Sequence, residues 1–196
     1  MKKIMFSDFY GLTKAVLEGR KTQTRRIAHI SRYEFDVVNY EYPSAPLGLR
    51  RSILDISKYK INEIIAIAQS YKDIFTEFSQ NPNQQLNIGV KNPTDTAGWT
   101  NKMFVKGDLM PHQIRITNVR VEKLQDISDD CCFKEGIQTF YYKDCKFPPD
   151  GYTFDGGKSH FNSPREAFAH LINKVSRKDV WEENPYVFVY DFELIK

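Results

Sequence analysis

The sequence lacks the features that most readily assign a protein to a chemistry. Its three cysteines (Cys131, Cys132 and Cys145) are an odd number and two are neighbours, so they form no disulfide framework and read as reduced thiols. No stretch approaches the roughly 18 apolar residues that a membrane helix requires, and the longest candidates, Ile61–Ala68 and Tyr186–Phe192, are strand-sized. The opening MKKIMFSDFYGL reaches Asp8 before any hydrophobic run develops, so no secretory signal is expected and a cytoplasmic location is. Also missing are GxxxxGK[ST], GxGxxG, HExxH, GxSxG and a paired CxxC, the commoner signatures of phosphate, dinucleotide, metal and nucleophile sites. Glycine and proline are sparse, at 10 and 9 residues.

What is present describes a folded domain. With 41% hydrophobic residues, 14 Phe, 11 Tyr and 2 Trp among 196, the chain can bury a core and is not disordered. The net charge of +3 conceals an asymmetry. Residues 1–32 hold eight Lys/Arg against Asp8 and Glu18, a net of +6, which leaves −3 for the rest. One face is therefore expected to meet an anion, nucleic acid first among them, although a solvated basic surface fits the charge equally well.

Local signals outline one α+β domain over 1–196, mostly strand with a few short helices. Ser7 is placed to cap a helix carrying Phe9, Leu12 and Val16 on one face, with Gly19 as its C′ residue. Ile61–Gln69 reads as a buried strand. A strand pair runs through 112–124, and its apolar phase shifts from Ile114 and Ile116 to Val119, Val121 and Leu124, which predicts a bulge or turn at Thr117–Asn118. Ser128 caps a short helix ending at Gly136. Ser163-Pro164-Arg165-Glu166 is a capping box for a helix burying Phe168, Leu171, Ile172 and Val175. Asn184-Pro185 precedes a final strand, Tyr186–Leu194. Residues 28–57, 73–101 and 140–162 read as insertions, the second of them as a long loop.

The sharpest chemical signal is Gly19-Arg20-Lys21-Thr22-Gln23-Thr24-Arg25-Arg26, where four cations and two hydroxyls crowd one turn. A lysine among arginines holds its proton less tightly, which suits it to act as base or nucleophile. Threonine supplies a hydroxyl, and arginine holds phosphate or stacks on a base. A basic turn whose threonines favour a strand explains the same residues without chemistry. Glu135 sits at a helix C-terminus, where the dipole disfavours an anion; nearness to Lys21 would account for it, as would exposure to solvent. Cys131, Cys132, Cys145 and His160 make an improbable metal set, because adjacent cysteines seldom share one zinc. No metal or cofactor is expected. His112 and His170 read as surface or capping residues, and Trp181 and Tyr186 as packing.

Three segments together, GRKTQTRR, MPHQIRITNVRVEKLQDISDDCCFKEGI and WEENPYVFVYDFELI, resemble the ASCH domain family of the PUA-like superfamily, in its long bacterial and phage-type form. The resemblance spans the chain outside the insertions. It implies a small, mostly antiparallel β-barrel with flanking helices and a cleft that binds RNA or a modified nucleoside or nucleotide. One branch of the family is an amidohydrolase that removes an acyl group from the exocyclic amine of a modified cytidine. On that likeness Lys21 and Thr24 are catalytic together with a glutamate, for which Glu135 is the match and Glu122 the second choice. Arg20, Thr22, Arg25, Arg26, Gln69 and His112 are candidate ligand-binding residues.

The likeness has departures. Ala66, Ala68 and Gln69 stand where long relatives carry Trp, Arg and Glu, and His112 follows Met110-Pro111 where a basic residue is usual. Three function classes thus follow: an RNA- or nucleoside-binding module, an amidohydrolase, and an interaction protein using 73–101 and 140–162 as its surface. Lys21 and Thr24 have opposite phase on an ideal strand, so a shared site requires the turn after Gly19 to include Lys21.

Overall fold

A computed structural model describes residues 1–30, 53–79, 93–141 and 151–195. The elements in order are β1 (Lys3–Ile4), α1 (Leu12–Leu17), β2 (Gln23–Ile27), α2 (Ile53–Ile56), β3 (Ile64–Ile67), α3 (Tyr71–Ser79), β4 (Gln113–Lys123), α4 (Asp129–Lys134), β5 (Gln138–Phe140), β6 (Gly151–Thr153), α5 (Pro164–Ser176), α6 (Val180–Glu183) and β7 (Tyr186–Leu194). The run densest in aromatic and β-branched residues became β7 with the bounds its sequence predicts. It lies between β4 and β2 in a five-stranded sheet of order β1-β3-β4-β7-β2. Only β1 and β3 pair in parallel; the other neighbours are antiparallel. The fold is therefore α+β with a mixed, mostly antiparallel sheet. Among the described residues its strands do not close into a ring, and β1 and β2 are the edges.

The phase shift in 112–124 is a bulge. The region is one continuous strand, not the expected pair, and its register against β7 slips between Ile116 and Asn118. Ile114 and Ile116 point into the core before the slip, and Val119 and Val121 after it. One extra residue thus keeps both halves of β4 facing the same core. Against that face pack Ala167, Phe168 and Leu171 of α5, Cys132 of α4 and Val16 of α1.

Caps decide where the helices lie. Ser163 Oγ accepts from the Glu166 amide at 3.1 Å, while Glu166 Oε2 accepts from the Asn162 amide at 3.0 Å. Ser163→Ala is expected to lower stability by about 1 kcal/mol in urea titrations; an unchanged midpoint would mean that packing alone sets this end of α5. Ser128 caps α4 by accepting from the Cys131 amide.

Several expectations are corrected. Ser7 does not cap α1, which begins at Leu12 after a left-handed Gly11. Residues 8–11 form a turn, leaving Phe9 89% exposed and off the core face. The strand at 61–69 is confined to Ile64–Ile67, because Asn62 has positive φ and breaks the extended run. The expected loop over 73–101 opens with a helix, α3, which seats Tyr71 and Ile74 in a second core cluster with Ala66, Ala68, Val105 and Met110. Of its remainder, 80–92 lies outside the described residues and 93–101 is turn, with a single 3-10 turn at Pro93–Asp95. The 140–162 insertion contributes β6, paired with β5, and 142–150 lies outside the description, as does 31–52 of the first insertion. Val175 is exposed and Ile172 only packs at the core margin. With α3 and α5 present, helix carries as much of the fold as strand. Among the described residues no helix is long and apolar enough to cross a membrane.

Candidate active site

The turn after α1 places Lys21. Gly19 adopts φ 72°, and the Arg20 and Lys21 amides both donate to the Ala15 carbonyl, so Lys21 is still bound to the helix end. The Thr22 amide then donates to Lys134 O of α4, and β2 begins only at Gln23. Lys21 therefore precedes the strand and escapes its alternation, as a shared site with Thr24 requires.

Glu135 arrives from the far side. It is the C-cap of α4, and the chain turns away at Gly136, whose φ of 108° a side chain would resist. Lys21 Nζ donates to Glu135 Oε2 at 2.5 Å, to Glu135 O at 2.8 Å and to Gln23 O at 2.8 Å. The proximity that would explain an anion at a helix C-terminus is thus present: the ammonium of Lys21 answers both the carboxylate and the last carbonyl.

Arg25 completes the cluster. Its Nη1 donates to Glu135 Oε1 at 3.0 Å and to Gln23 Oε1 at 2.7 Å, and its Nη2 to Glu122 Oε1 at 2.6 Å. Lys21, Arg25 and Glu135 are each no more than 5% exposed. The network continues across the sheet. Arg120 donates to Glu122 Oε2 and to Asp191 Oδ2, and Gln23 Nε2 donates to Asp191 Oδ1. Burial pulls the Lys21 pKa below its ordinary value against the opposing pull of Glu135, with Arg26 and Arg25 deepening the fall. For Arg25 burial also works against the charge, but Glu135 and Glu122 outweigh it and its pKa rises. Arg25 is thus a fixed cation, and Lys21 is the member prepared to lose a proton.

These groups open into a pocket of about 50 Å³. That exceeds the space one water needs and suits a group of a few heavy atoms. Lys21, Thr24, Arg25 and Glu135 supply one side and Phe6, Phe168 and Leu171 the other. Consecutive residues of β2, Thr24, Arg25 and Arg26, line the pocket, so it collects residues of both phases of this edge strand.

The remaining candidates are divided. Arg26 lines the pocket, donates to Met5 O at 2.6 Å and lies over the Phe6 ring. Arg20 is exposed, pairs with Glu18 at 2.6 Å and lines a separate cleft of about 500 Å³ with Phe9, Tyr10 and Phe154. Thr22 docks by its backbone, accepting from the Phe192 amide as well as donating to Lys134. Glu122 holds Arg25 and Arg120, not Lys21. Gln69 and His112 meet elsewhere, at Glu77 of α3. His112 Nε2 is 2.7 Å from Glu77 Oε1, and Gln69 Nε2 donates to Glu77 Oε2 at 3.4 Å. Neither lines the Lys21 pocket.

Sequence reasoning missed Gln23, Arg120 and Asp191 as members of the network. A partial signal was available: Arg120 and Glu122 alternate with the apolar Val119 and Val121, which puts them on the opposite face of the strand from the core. Among the described residues no group of three or more His, Cys, Asp or Glu is arranged to hold a metal ion. Cys131 and Cys132 are free, and Cys145 lies outside the described residues. Compared with family models, curated proteins and solved structures, the chain matches none.

Proposed function

We propose that this chain is an ASCH-type protein on a PUA-like scaffold that binds RNA or a modified nucleoside or nucleotide at the Lys21 pocket. The observation that carries the reading is the sharing of one buried carboxylate, Glu135, by Lys21 and Arg25 at a small opening beside Thr24. Three charges withdrawn from water at a pocket mouth are costly to maintain, and a cluster of this kind in a cleft is a candidate functional site. The pocket supplies donors for a carbonyl or a base edge and an apolar wall for a ring or methyl group.

The same contact favours a second reading, hydrolysis of an acyl amide. Transfer of one proton within the 2.5 Å Lys21–Glu135 pair yields a neutral amine and a carboxylic acid, a state that burial favours. The amine then takes a proton from water while its oxygen bonds to the acyl carbon; if the Thr24 hydroxyl attacks instead, the acyl group passes to its oxygen as an ester, which water must hydrolyse in a second step to free the acid and the hydroxyl. Arg25 steadies the oxyanion electrostatically. As the carbon–nitrogen bond breaks, the Glu135 acid protonates the leaving exocyclic amine. Overall, water and the amide give a carboxylic acid and an amine.

The test is chromatographic release of cytidine from cytidine acetylated on its exocyclic amine, with binding of that nucleoside measured by calorimetry. Wild type is expected to release cytidine, and Lys21→Ala to lose at least about a hundredfold in rate. Lys21→Ala can fail to fold, so Thr24→Val, which removes only the hydroxyl, provides the second arm and is checked by circular dichroism. Binding without release in wild type would leave the binding reading and end the hydrolytic one. Neither binding nor release by folded wild type would overturn both for this nucleoside.

A further inference from the structure

The Lys21 pocket is too small for a whole nucleotide, and what adjoins it is chemically different. Beyond Met5 and Arg26, which line both, lies a groove of about 530 Å³ between β1, the end of β2, the segment after α2 and β7. Four of its lining residues carry or can carry positive charge: Lys3, Arg26, His29 and Lys58. Among the described residues no aspartate or glutamate lines it. Among the described residues the side-chain hydrogen bonds of its cations go to carbonyls: Lys3 Nζ donates to Met103 O and Val105 O, and Arg26 to Met5 O. Carbonyls orient a cation without neutralising it, so the groove keeps its positive potential. The contrast with the Lys21 cluster is sharp, because there each cation has a carboxylate.

The floor is apolar. Phe188 and Tyr190 of β7 and Tyr59 form it, and the phenol groups are committed within the protein. Tyr59 OH donates to Lys3 O at 3.1 Å, and Tyr190 OH lies 3.0 Å from Ser57 Oγ. Ile27 and Met5 add exposed apolar surface at the sides. A cationic rim over an aromatic and aliphatic floor is the combination that follows a single-stranded phosphate backbone and accepts sugar and base surface between phosphates. Continuity is provided by Phe6, whose ring has Lys21 Nζ and the Arg26 guanidinium each 5.8 Å from its centroid.

We infer that this groove binds the phosphates of a nucleoside whose acyl or base-edge group alone enters the Lys21 pocket, so that the ligand is a phosphorylated form and not the free nucleoside. The inference rests on the proposed function for the pocket and adds a separate site to it. The shared ligand chemistry is a phosphate ester, carried by a mononucleotide or by an RNA strand.

The experiment titrates three fluorescence-reported ligands against the full chain at two salt concentrations. They are acetylated cytidine, its 5′-monophosphate, and an oligoribonucleotide of about eight residues carrying it, a length within the site size of single-strand grooves. Lys58 and His29 are exposed, so Lys58→Glu, which reverses a charge, and His29→Glu, which adds a negative one, leave the core undisturbed; Lys178→Glu, also exposed, is the control with the same charge change as Lys58→Glu. Lys58→Glu is expected to weaken the phosphorylated ligands roughly tenfold, leave the free nucleoside unchanged, and flatten the salt slope by about 0.7 for each phosphate no longer neutralised. A gain seen with the monophosphate identifies a mononucleotide site, and one seen only with the oligonucleotide identifies a strand. Equal affinity for all three ligands, or equal weakening by Lys58→Glu and Lys178→Glu, would overturn the groove while leaving the pocket intact. Loss of free-nucleoside binding in wild type would count against the pocket, and absence of binding by both phosphorylated ligands against the groove.

Discussion

Replacing Glu135 with leucine is expected to lower stability by about 3–5 kcal/mol, the usual cost of removing one partner from a buried ion pair. Two cations depend on this one carboxylate. Lys21 keeps only the carbonyls of Gln23 and Glu135, whereas Arg25 retains Glu122 and Gln23. Most of the loss therefore falls on Lys21, which must stay charged without an anion or release its proton. Glu135→Gln, which keeps an acceptor but no charge, should lose less. Combining Lys21→Met with Glu135→Leu removes both charges and should cost less than the two single changes together. Urea unfolding at neutral pH measures all four. A loss under about 1 kcal/mol for Glu135→Leu would place the pair with exposed ones and remove the energetic argument for a specialised site.

The second large effect is alkaline. Cys132 faces the core from α4 and is fully buried. Burial pushes its thiol up to about 12 from an ordinary 9.0. In the unfolded chain the thiol ionises near its ordinary value, while in the folded chain it stays protonated. The folded state thus holds the proton more tightly, so this contribution is complete below pH 9 and is lost as pH rises toward 12. The slope is roughly 1.4 kcal/mol per pH unit, amounting to about 4 kcal/mol by pH 12. Other groups titrate in this range. Tyr59 and Tyr190 are raised by burial and act in the same direction above pH 10, whereas the lowered pKa of Lys21 acts in the opposite one. The measurement is therefore a difference, the stability of wild type minus that of Cys132→Ala at each pH. That difference should fall steadily above pH 9. A flat difference would show that the folded thiol titrates normally. Cys131 provides the contrast: although partial burial raises its pKa, Ser128, Arg25 and Arg120 outweigh that and lower it.

How much of this was legible in the sequence depended on whether the signal was local. The caps at Ser128 and Ser163, the C′ glycine at 19, the bulge after Ile116 and the bounds of β7 each follow from residues within a few positions. Misreadings arose where local chemistry allowed two outcomes. Ser7 suits a cap, but the left-handed Gly11 starts the helix. The Asn- and Gln-rich segment suggested a loop, yet Tyr71 and Ile74, three positions apart, gave α3 a buried face. In the site, Lys21 and Thr24 were visible as a motif. That Glu135, 114 residues on, meets Lys21 rested on the anomaly of an anion at a helix C-terminus together with a family resemblance. The basic excess of residues 1–32 pointed to an anion-binding face and includes Lys3 and Arg26, but the groove's outline and the part of Lys58 had no signal, because its residues come from separate segments and share no pattern. Gln69 and His112 were grouped with the site by resemblance, whereas tertiary packing sends them to Glu77.

The pairing of β2 has a consequence for how the protein is made. Among the described residues β2 hydrogen-bonds only to β7 within the sheet, and Gln23 meets Asp191 in register. On the ribosome the chain emerges with β2 among its first segments and β7 among the last of the sheet. At ordinary translation rates β2 waits on the order of ten to thirty seconds for β7. During that interval Gln23 has no Asp191 to hold it, and β2, which carries Thr24 and Arg25, has no β7 backbone to order it. The site is thus completed late in synthesis, and a nascent chain arrested before Tyr186 should carry the whole GRKTQTRR motif without ligand affinity.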